Sequence, residues 1–456
     1  MAGGEKVAQS RLRATPALVA AAVVFAAAYG GYAADVLAHH LWRMLTWFDF
    51  DVYVVAGQHV VEHSALLYSW RFAPGVRFVY TPFAALAFAV LAPLPYILRH
   101  GFITAISLAA IPLTTWLTLG GMGLRGRRRI LPALVVSAVG LWTFPVIWSL
   151  HLGQVEPALM LLVVWDLTLS DRRWWKGAGV GLAAGIKLVP LIFIPYLLLA
   201  GKIRQALVAT GTFAATILIG FVFLPGESYR WWLTGYMFQT SKNGSVVSLV
   251  DQSLLGMLTR LASGHSLAVR PAWLLIAGLI GLAGVIGAAV LHRSGRPVEG
   301  MLACAVTGLL VSPISWDNHW VWVVPLTAML AGLAVRASGL ARAGYVAAAA
   351  ALVAAFGAWP TKFSGPGAFV PQRAFLGWFT QTGPRTYSEV YHLRGLQILT
   401  LNLYVVAGCL VLAVMLAAAW RLRHAVTWRS AARTERAGHA GQPSAAASSD
   451  GSARVA

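Results

Sequence analysis

Acidic residues are scarce in this sequence. Only 15 Asp and Glu stand against 35 Lys and Arg in 456 residues, and charged residues make up 11% of the chain. Cysteine occurs twice, at Cys304 and Cys409, and each lies within an apolar run. This usage indicates neither a disulfide framework nor a thiolate metal site. Clusters of Asp and Glu that would hold Mg²⁺ are also missing from the sequence.

Apolar residues dominate the composition. The chain is 58% hydrophobic with a mean hydropathy of +0.70, and repeated runs of about 20 apolar residues are typical of transmembrane helices. Backbone polar groups must be paired in lipid, so the sequence predicts an all-α polytopic membrane protein. The net charge of +20 then indicates positive-inside topology and attraction to anionic membrane lipids, and no nucleic acid partner.

Basic clusters set the predicted orientation. Lys6, Arg11 and Arg13 precede an apolar run at 17–37, which favours a cytoplasmic N-terminus and an uncleaved anchor over a signal peptide. The other basic clusters are predicted to be cytoplasmic: "RGRRR" (125–129), "SDRRWWK" (170–176), "GKIR" (201–204), "HRSGR" (292–296), "RASGLARAG" (336–344) and "RLRH" (421–424). The spans that connect them are predicted near 97–121, 130–150, 155–170, 206–224, 271–291, 298–315, 320–336, 343–360 and 395–420.

Two apolar segments do not fit simple crossing. Segment 80–95 is short. Because the spans must alternate in direction between the cytoplasmic basic loops, this segment is expected to lie outside or to re-enter the membrane. Segment 177–200 begins and ends on the cytoplasmic side, so we expect a broken helical hairpin around Lys187 and Pro190. Counting that hairpin as two helices gives about 12 helices. The predicted division is a cytoplasmic N-terminus (1–14), a transmembrane domain (15–425) and a disordered cytoplasmic tail (426–456).

With this topology, the unusual polar residues fall on the extracytoplasmic side. They occur in "FDFDVY" (48–53), "YTP" (80–82), "HLGQVEP" (151–157), the stretch 225–270, "SPISWDNHW" (312–320) and the loop 361–394. Ionisable groups at membrane edges are costly to desolvate, so they are functional candidates by default. This one-sided distribution of the polar residues predicts chemistry or recognition at the outer membrane surface.

Each motif also has a structural interpretation. Asp49 or Asp51 would cap a helix that begins at Val52; if this segment is instead helical throughout, the two carboxylates point apart. His151, Gln154 and Glu156 would form a solvated turn, and Lys187 would extend to the interface from its broken helix. Trp231, Trp232, Trp316 and Trp320 would be interfacial anchors, and Asp317 and His319 would bond each other at a helix end.

The ordered set of motifs resembles a known family. The pieces are "DFDVY" (49–53), "LLY" (66–68), "FVYTPFAALAF" (78–88), "LGQVEPALML" (152–161), "GLAAGIKLVPLIFIP" (181–195) and "SPISWDNHW" (312–320). They resemble the actinobacterial polyprenyl-phosphate-mannose-dependent α-1,2-mannosyltransferases of the GT-C superfamily, in the branch that elongates phosphatidylinositol mannosides or lipomannan. One departure is Glu156, where relatives often carry Asn.

The resemblance implies a GT-C fold and inverting transfer of mannose from polyprenyl-phosphate-mannose to a mannosylated lipid acceptor, at the extracytoplasmic face of the plasma membrane. The family motif Asp-x-x-Val-Tyr places the catalytic base at Asp49, with Asp51 at a variable position. A good phosphate leaving group needs cations and no proton; Lys187 and His319, then Arg385 or Arg394, are the candidates, and no metal or cofactor is expected. The remaining predicted substrate-binding residues are Asp51, Tyr53, Tyr80, His151, Gln154, Glu156, Trp316 and Asp317.

A transporter or flippase for a lipid-linked sugar is the alternative. The broken hairpin with Lys187 favours it, since unwound intramembrane helices often form substrate sites. The sequence shows no repeat between its halves, and the ionisable groups lie at outer helix ends, away from the midplane. A purely structural scaffold explains neither the sorting nor the motif order.

Overall fold

The computed structural model describes residues 2–38, 45–62, 67–73, 76–239, 246–262, 266–359, 372–373 and 395–440. Its α-helices are α1 Ala2–Ala38, α2 Phe48–Val61, α3 Pro82–Ala89, α4 Tyr96–Gly121, α5 Arg127–Leu141, α6 Phe144–Leu152, α7 Glu156–Thr168, α8 Ala178–Ile186, α9 Phe193–Leu199, α10 Ile203–Phe223, α11 Pro225–Leu233, α12 Leu254–Leu261, α13 Ser266–Arg293, α14 Pro297–Val311, α15 Val323–Arg336, α16 Gly339–Phe356, α17 Leu396–Leu401 and α18 Leu403–Ala440. Short 3₁₀ helices span Val189–Ile192, Tyr236–Phe238 and Asp317–Trp322. Two-residue strands, β1 Ala358–Trp359 and β2 Gln372–Arg373, pair antiparallel.

Seven helices among the described residues are long and apolar enough to cross a membrane, or eight if one bent pair counts as a span. The seven spans are Pro16–Ala34, Tyr96–Gly121, Ile203–Phe223, Ala268–Arg293, Asp317–Arg336, Gly339–Phe356 and Leu403–Arg423. The bent pair is α6 and α7, which meet at 118°. The predicted multi-span helical architecture is confirmed, and the protein is a multi-pass membrane protein.

The predicted helix break at Lys187 and Pro190 is present, and the return of segment 177–200 to the cytoplasmic side as a hairpin remains a prediction. Helix α8 ends at Ile186, Lys187 is extended (φ −139°, ψ 129°), and a 3₁₀ turn containing Pro190 precedes α9. Segment 80–95 contains only the eight residues of α3, too few to cross a bilayer, which agrees with the prediction. Whether the shorter helices complete a total of about 12 crossings remains a prediction.

Two predicted elements differ from the structure. The span expected near 130–150 is broken between Leu141 and Phe144, where Pro145 follows the new helix start and fixes its backbone angle. The tail expected to be disordered from residue 426 begins as helix, because α18 continues to Ala440. Residues 441–456 lie outside the described residues, and the domain boundaries remain predictions.

Helix α14 lies at the centre of the bundle, with nearly every residue from Val298 to Leu310 buried. It packs on α13 and α18, while α4 contacts α5, α7 and α15. Small residues make the central contact close: a Cβ added to Gly300 of α14 would stand 2.6 Å from the Ala288 carbonyl oxygen of α13. Close approach at small residues is typical of helix packing in membranes. The polar segments therefore collect at the ends of these helices.

Candidate active site

The first turn of α2 carries the two aspartates. Helix α2 begins at Phe48, after Trp47 in the left-handed region (φ 47°), and the Trp47 backbone N–H donates to the His151 carbonyl at 2.9 Å. The interpretation that Asp49 or Asp51 caps a helix beginning at Val52 is therefore wrong. Both carboxylates lie where the helix N-terminus favours negative charge.

The aspartates point to different partners, as a helical segment predicts. Asp49 lines a cavity and accepts a hydrogen bond from the Gln154 side-chain amide. Asp51 lies 2.8 Å from Nε2 of the buried His100, whose Nδ1 lies 2.8 Å from the Tyr96 carbonyl oxygen. Asp51 is not among the residues that line the cavity. The geometry therefore gives Asp49 access to a ligand and gives Asp51 a contact that joins α2 to α4.

Gln154 lies in the sharp connection between α6 and α7. Gly153 adopts a positive φ of 66°, and a Cβ there would stand 2.7 Å from the Cβ of Phe50, so glycine lets α2 approach this turn. The side-chain oxygen Oε1 of Gln154 accepts from the Tyr53 hydroxyl at 2.7 Å and from the Tyr80 hydroxyl at 3.5 Å. Its amide nitrogen is then free to donate to Asp49. This chain of hydrogen bonds fixes the orientation of the Asp49 carboxylate.

Burial raises the pKa of Asp49 from 3.8 to about 6, and the nearby Glu156 charge adds to the increase. The Gln154 hydrogen bond and the Lys187 charge partly offset it. A carboxylate with a pKa near the working pH is a stronger base than an exposed one and remains ionised at neutral pH. Asp49 therefore has the position and the basicity of a general base.

A second cluster, formed by Glu156, Lys187 and His319, lies on the other side of Tyr80. The Lys187 ammonium forms an ion pair with Glu156 and lies 2.9 Å from His319 Nε2 and 3.4 Å from the Tyr80 hydroxyl. The break after α8 aims Lys187 inward. The interpretation of Lys187 as a residue that extends to the interface is therefore wrong. Gln154 and Glu156, 5% and 6% exposed, do not form a solvated turn either.

The cavity between these groups has a volume of about 440 Å³, within the range of about 300–1,000 Å³ usual for ligand sites. The predicted site residues that line it are Asp49, Tyr53, Tyr80, Gln154, Lys187, Trp316, Asp317 and His319. Glu156 lies behind Lys187 and His319, where the three residues also line a separate apolar cavity of about 50 Å³. One cluster thus separates a polar chamber from an apolar one.

Several predicted residues are not brought to the cavity. Asp51 binds His100, and His151 contributes its carbonyl to Trp47 while its ring stacks on Trp148 at 4.8 Å. Arg385 and Arg394 lie outside the described residues. Their roles in substrate binding remain predictions.

Sequence reasoning missed other residues at this site. Arg77, Trp148 and Asn318 line the cavity. Asn318 lies inside the quoted motif at 312–320, and Arg77 directly precedes the motif at 78–88, so neighbouring positions carried a signal. His100, a histidine inside an apolar span, was a signal for the partner of Asp51.

The segment 312–317 is held against the cavity by a buried strand-like contact. The Asp251 carboxylate accepts from the Ser315 N–H at 2.9 Å, the Gln252 N–H donates to the Ser315 carbonyl at 2.7 Å, and the Asp317 N–H donates to the Val250 carbonyl at 3.0 Å. Burial raises the pKa of Asp251 to about 6. These bonds position Trp316 and the 3₁₀ turn that presents His319.

Among the residues that the structure describes, no group of three or more His, Cys, Asp or Glu could hold a metal ion. That the activity requires no metal ion remains a prediction. The described side chains provide a partly buried carboxylate, cations and aromatic surfaces in one cavity. Together with the helical bundle, they are typical of a membrane-embedded enzyme.

Comparison with known proteins identifies the family within that class. The family model described as "Glycosyltransferase family 87" matches residues 78–313, and the chain belongs to this family. It is 30% identical over 312 residues, 65% of this chain and 72% of the relative, to a polyprenol-phosphate-mannose-dependent alpha-(1-2)-phosphatidylinositol mannoside mannosyltransferase of Mycobacterium tuberculosis. It is also 30% identical over 308 residues, 64% of this chain and 72% of the relative, to a polyprenol-phosphate-mannose-dependent alpha-(1-2)-phosphatidylinositol pentamannoside mannosyltransferase of Mycolicibacterium smegmatis.

Membership of this family confirms the predicted GT-C glycosyltransferase class and favours an enzyme over a transporter. The matched range includes Tyr80, Gln154, Glu156 and Lys187 and ends shortly before Trp316. Asp49 lies upstream of it. The roles of the individual site residues therefore rest on the geometry described above.

Proposed function

We propose that this enzyme transfers mannose from polyprenyl-phosphate-mannose to a 2-hydroxyl of a mannosylated phosphatidylinositol acceptor and forms an α-1,2 linkage. The names of its relatives support this donor and this class of acceptor. The observation that carries the proposal is the partly buried Asp49 carboxylate, which Gln154 holds in the wall of the same cavity that Lys187 lines. A base and a cation that face one chamber are what the reaction requires.

In the proposed reaction, Asp49 takes the proton of the acceptor hydroxyl as its oxygen attacks the anomeric carbon of mannose. The bond from that carbon to the phosphate oxygen breaks, and the polyprenyl phosphate leaves with the electron pair. The donor linkage is β and the product linkage α, so one inverting displacement with one base suffices. No proton is needed by the leaving group.

Lys187 supplies positive charge to the departing phosphate. An ammonium only donates hydrogen bonds, so in its contact with His319 the Nε2 atom accepts, which places the imidazole proton on Nδ1. Arg77 adds a second cation to the cavity wall. Fixed positive charge in a site that excludes water stabilises a leaving anion strongly.

The prenyl chain needs an apolar path. The apolar cavity beyond Lys187 is lined by side chains of α7, α14 and the 3₁₀ turn around Pro190. We propose that it marks the start of a groove that opens toward the lipid when the donor binds. Tyr53, Trp231 and Trp316 offer aromatic faces for the sugar rings. The one-sided distribution of the basic loops supports an active site on the extracytoplasmic face.

The test is mannose transfer by the purified protein in detergent. Labelled polyprenyl-phosphate-mannose is supplied with phosphatidylinositol mannosides, and the lipids are analysed by mass spectrometry. The proposal expects an acceptor heavier by one hexose, with an α-1,2 linkage. A transporter would move labelled lipid across reconstituted vesicles without changing its mass, and that result would refute the proposal.

A further inference from the structure

Lys187 is already fully engaged without a substrate. A lysine ammonium has three donor positions and no acceptor. The contacts of Lys187 are the Glu156 carboxylate, His319 Nε2 at 2.9 Å and the Tyr80 hydroxyl at 3.4 Å. A phosphate oxygen that binds this ammonium must therefore displace one of the three.

Glu156 is the partner that a phosphate displaces. It is the one anion among the three, so an entering phosphate repels it and leaves the neutral tyrosine and histidine in place. Glu156 also lies 3.3 Å from His319 Nε2 through the same oxygen that contacts Lys187. With a neutral His319, this cluster has a net charge of zero, which attracts no anion until the pair separates.

The Glu156 carboxylate has an alternative position away from Lys187. Its second oxygen, Oε2, is buried and makes no hydrogen bond within the described part of the chain, and the apolar cavity borders the side chain. Glu156 is also the first residue of α7, where the helix N-terminus stabilises a negative charge. The carboxylate can therefore leave Lys187 and remain ionised at the helix start.

We propose that Glu156 is an exchangeable counter-ion: the donor phosphate displaces it from Lys187, and its return to Lys187 expels the polyprenyl phosphate product. This inference rests on the proposed function. No covalent bond is involved, since one anion replaces another on the same ammonium.

The return step matters because of the charges involved. The donor is a phosphodiester with one negative charge, whereas the product is a monoester with a charge of about −1.5 to −2 near neutral pH. The product therefore binds Lys187 more strongly than the donor. The Glu156 carboxylate also repels the more highly charged product more strongly than the donor, and this repulsion favours product release.

The experiment measures binding of farnesyl phosphate to the purified full-length protein in detergent. Glu156→Gln removes the competing charge, and we expect its Kd to fall about tenfold relative to the wild type, because the phosphate no longer displaces or faces a like charge. Glu156→Asp keeps the charge and should remain within about twofold. Glu299→Gln, the same substitution at the start of α14 and outside the cavity, is the matched control and should not change the Kd.

A double variant tests the route. If Glu156 acts through Lys187, then Glu156→Gln should tighten farnesyl phosphate binding much less in a Lys187→Gln background than in the wild type. In the transfer assay, Glu156→Gln should lower the donor KM and kcat together, with stronger inhibition by added farnesyl phosphate. Glu156→Asn tests the same exchange should Glu156→Gln not purify as a monodisperse protein.

Unchanged or weaker farnesyl phosphate binding by folded Glu156→Gln would overturn the inference, because Glu156 would then only support the position of Lys187. The two proposals fail separately. Tighter phosphate binding without mannose transfer by the wild type would keep the exchange and refute the transferase function. Transfer by the wild type with unchanged binding by Glu156→Gln would do the reverse.

Discussion

The Asp49→Asn variant tests the base directly while it keeps the size of the side chain. General base catalysis contributes about 10²–10⁴-fold to a rate, so we expect kcat to fall by that factor. At about 1.4 kcal/mol for each factor of ten, the loss corresponds to roughly 3–5 kcal/mol of transition-state stabilisation. Donor binding should change little, because Lys187 and Arg77, the cavity cations proposed to hold the phosphate, are unaltered.

The same variant should not lose stability. The pKa of Asp49 is raised in the folded protein, so folding favours the protonated form and the ionised carboxylate costs free energy above pH 6. The difference between 3.8 and about 6 corresponds to roughly 3 kcal/mol. That cost is fully present above about pH 6, shrinks as the pH falls from about 6 to 3.8, and is absent below 3.8. Asparagine never carries it, so the variant should unfold at the same or a higher temperature than the wild type at pH 7.5.

The pH profile supplies an independent measurement. In the wild type, kcat/KM should rise with pH, with a midpoint near 6, and fall about tenfold per pH unit below it, because only the ionised base acts. Asp51→Asn is the matched control, since Asp51 binds His100 outside the cavity. Loss of activity in Asp51→Asn with full activity in Asp49→Asn would refute the assignment. A pH-independent rate between pH 5 and pH 8 would also contradict it.

Other changes have equally definite outcomes. Gln154→Leu releases Asp49, so kcat should fall about a hundredfold and the acidic midpoint should move to higher pH, because the Gln154 hydrogen bond lowers the Asp49 pKa; an unmoved midpoint would contradict this. Lys187→Gln should lower kcat/KM for the donor by about 10²–10³-fold, and a decrease below threefold would count against a phosphate site there. Arg260→Leu removes the buried guanidinium that donates two hydrogen bonds to Asn402 Oδ1. It should lower the free energy of unfolding by about 2–4 kcal/mol, measured by denaturant unfolding, and an unchanged unfolding midpoint would refute this prediction. Excess chelator should leave the transfer rate unchanged, and restoration of a lost rate by Mg²⁺ or Mn²⁺ would show a metal requirement.

The sequence predicted the parts of this molecule that depend on local chemistry. Apolar runs predicted the spans, and Pro190 predicted the break that turns Lys187 inward. The clustering of Asp49, Gln154 and His319 followed from one topological argument, since helix ends on one side of a membrane meet. That argument needs only the direction of each helix, which basic loops supply.

The sequence did not predict which polar groups touch. Lys187 meets His319, 132 residues further along the chain, and Asp51 meets His100 across 49 residues. Such pairs depend on helix rotation and depth, which packing decides and hydropathy does not record. The break between Leu141 and Phe144 was missed for the same reason, because an apolar run reads as continuous whether or not its helix turns.

The segment that supports the cavity also contacts the start of α18. The Gln252 side chain donates to the Leu401 carbonyl at 2.8 Å and accepts from the Tyr404 N–H at 3.2 Å, while its backbone N–H holds Ser315. Gln252, through its side chain and its backbone N–H, therefore couples the start of α18, a membrane span, to the segment that presents His319. A change in the tilt of α18 is therefore transmitted to that segment through the hydrogen bonds of Gln252. Bilayer thickness, which sets helix tilt, thereby becomes an input to the geometry of the active site.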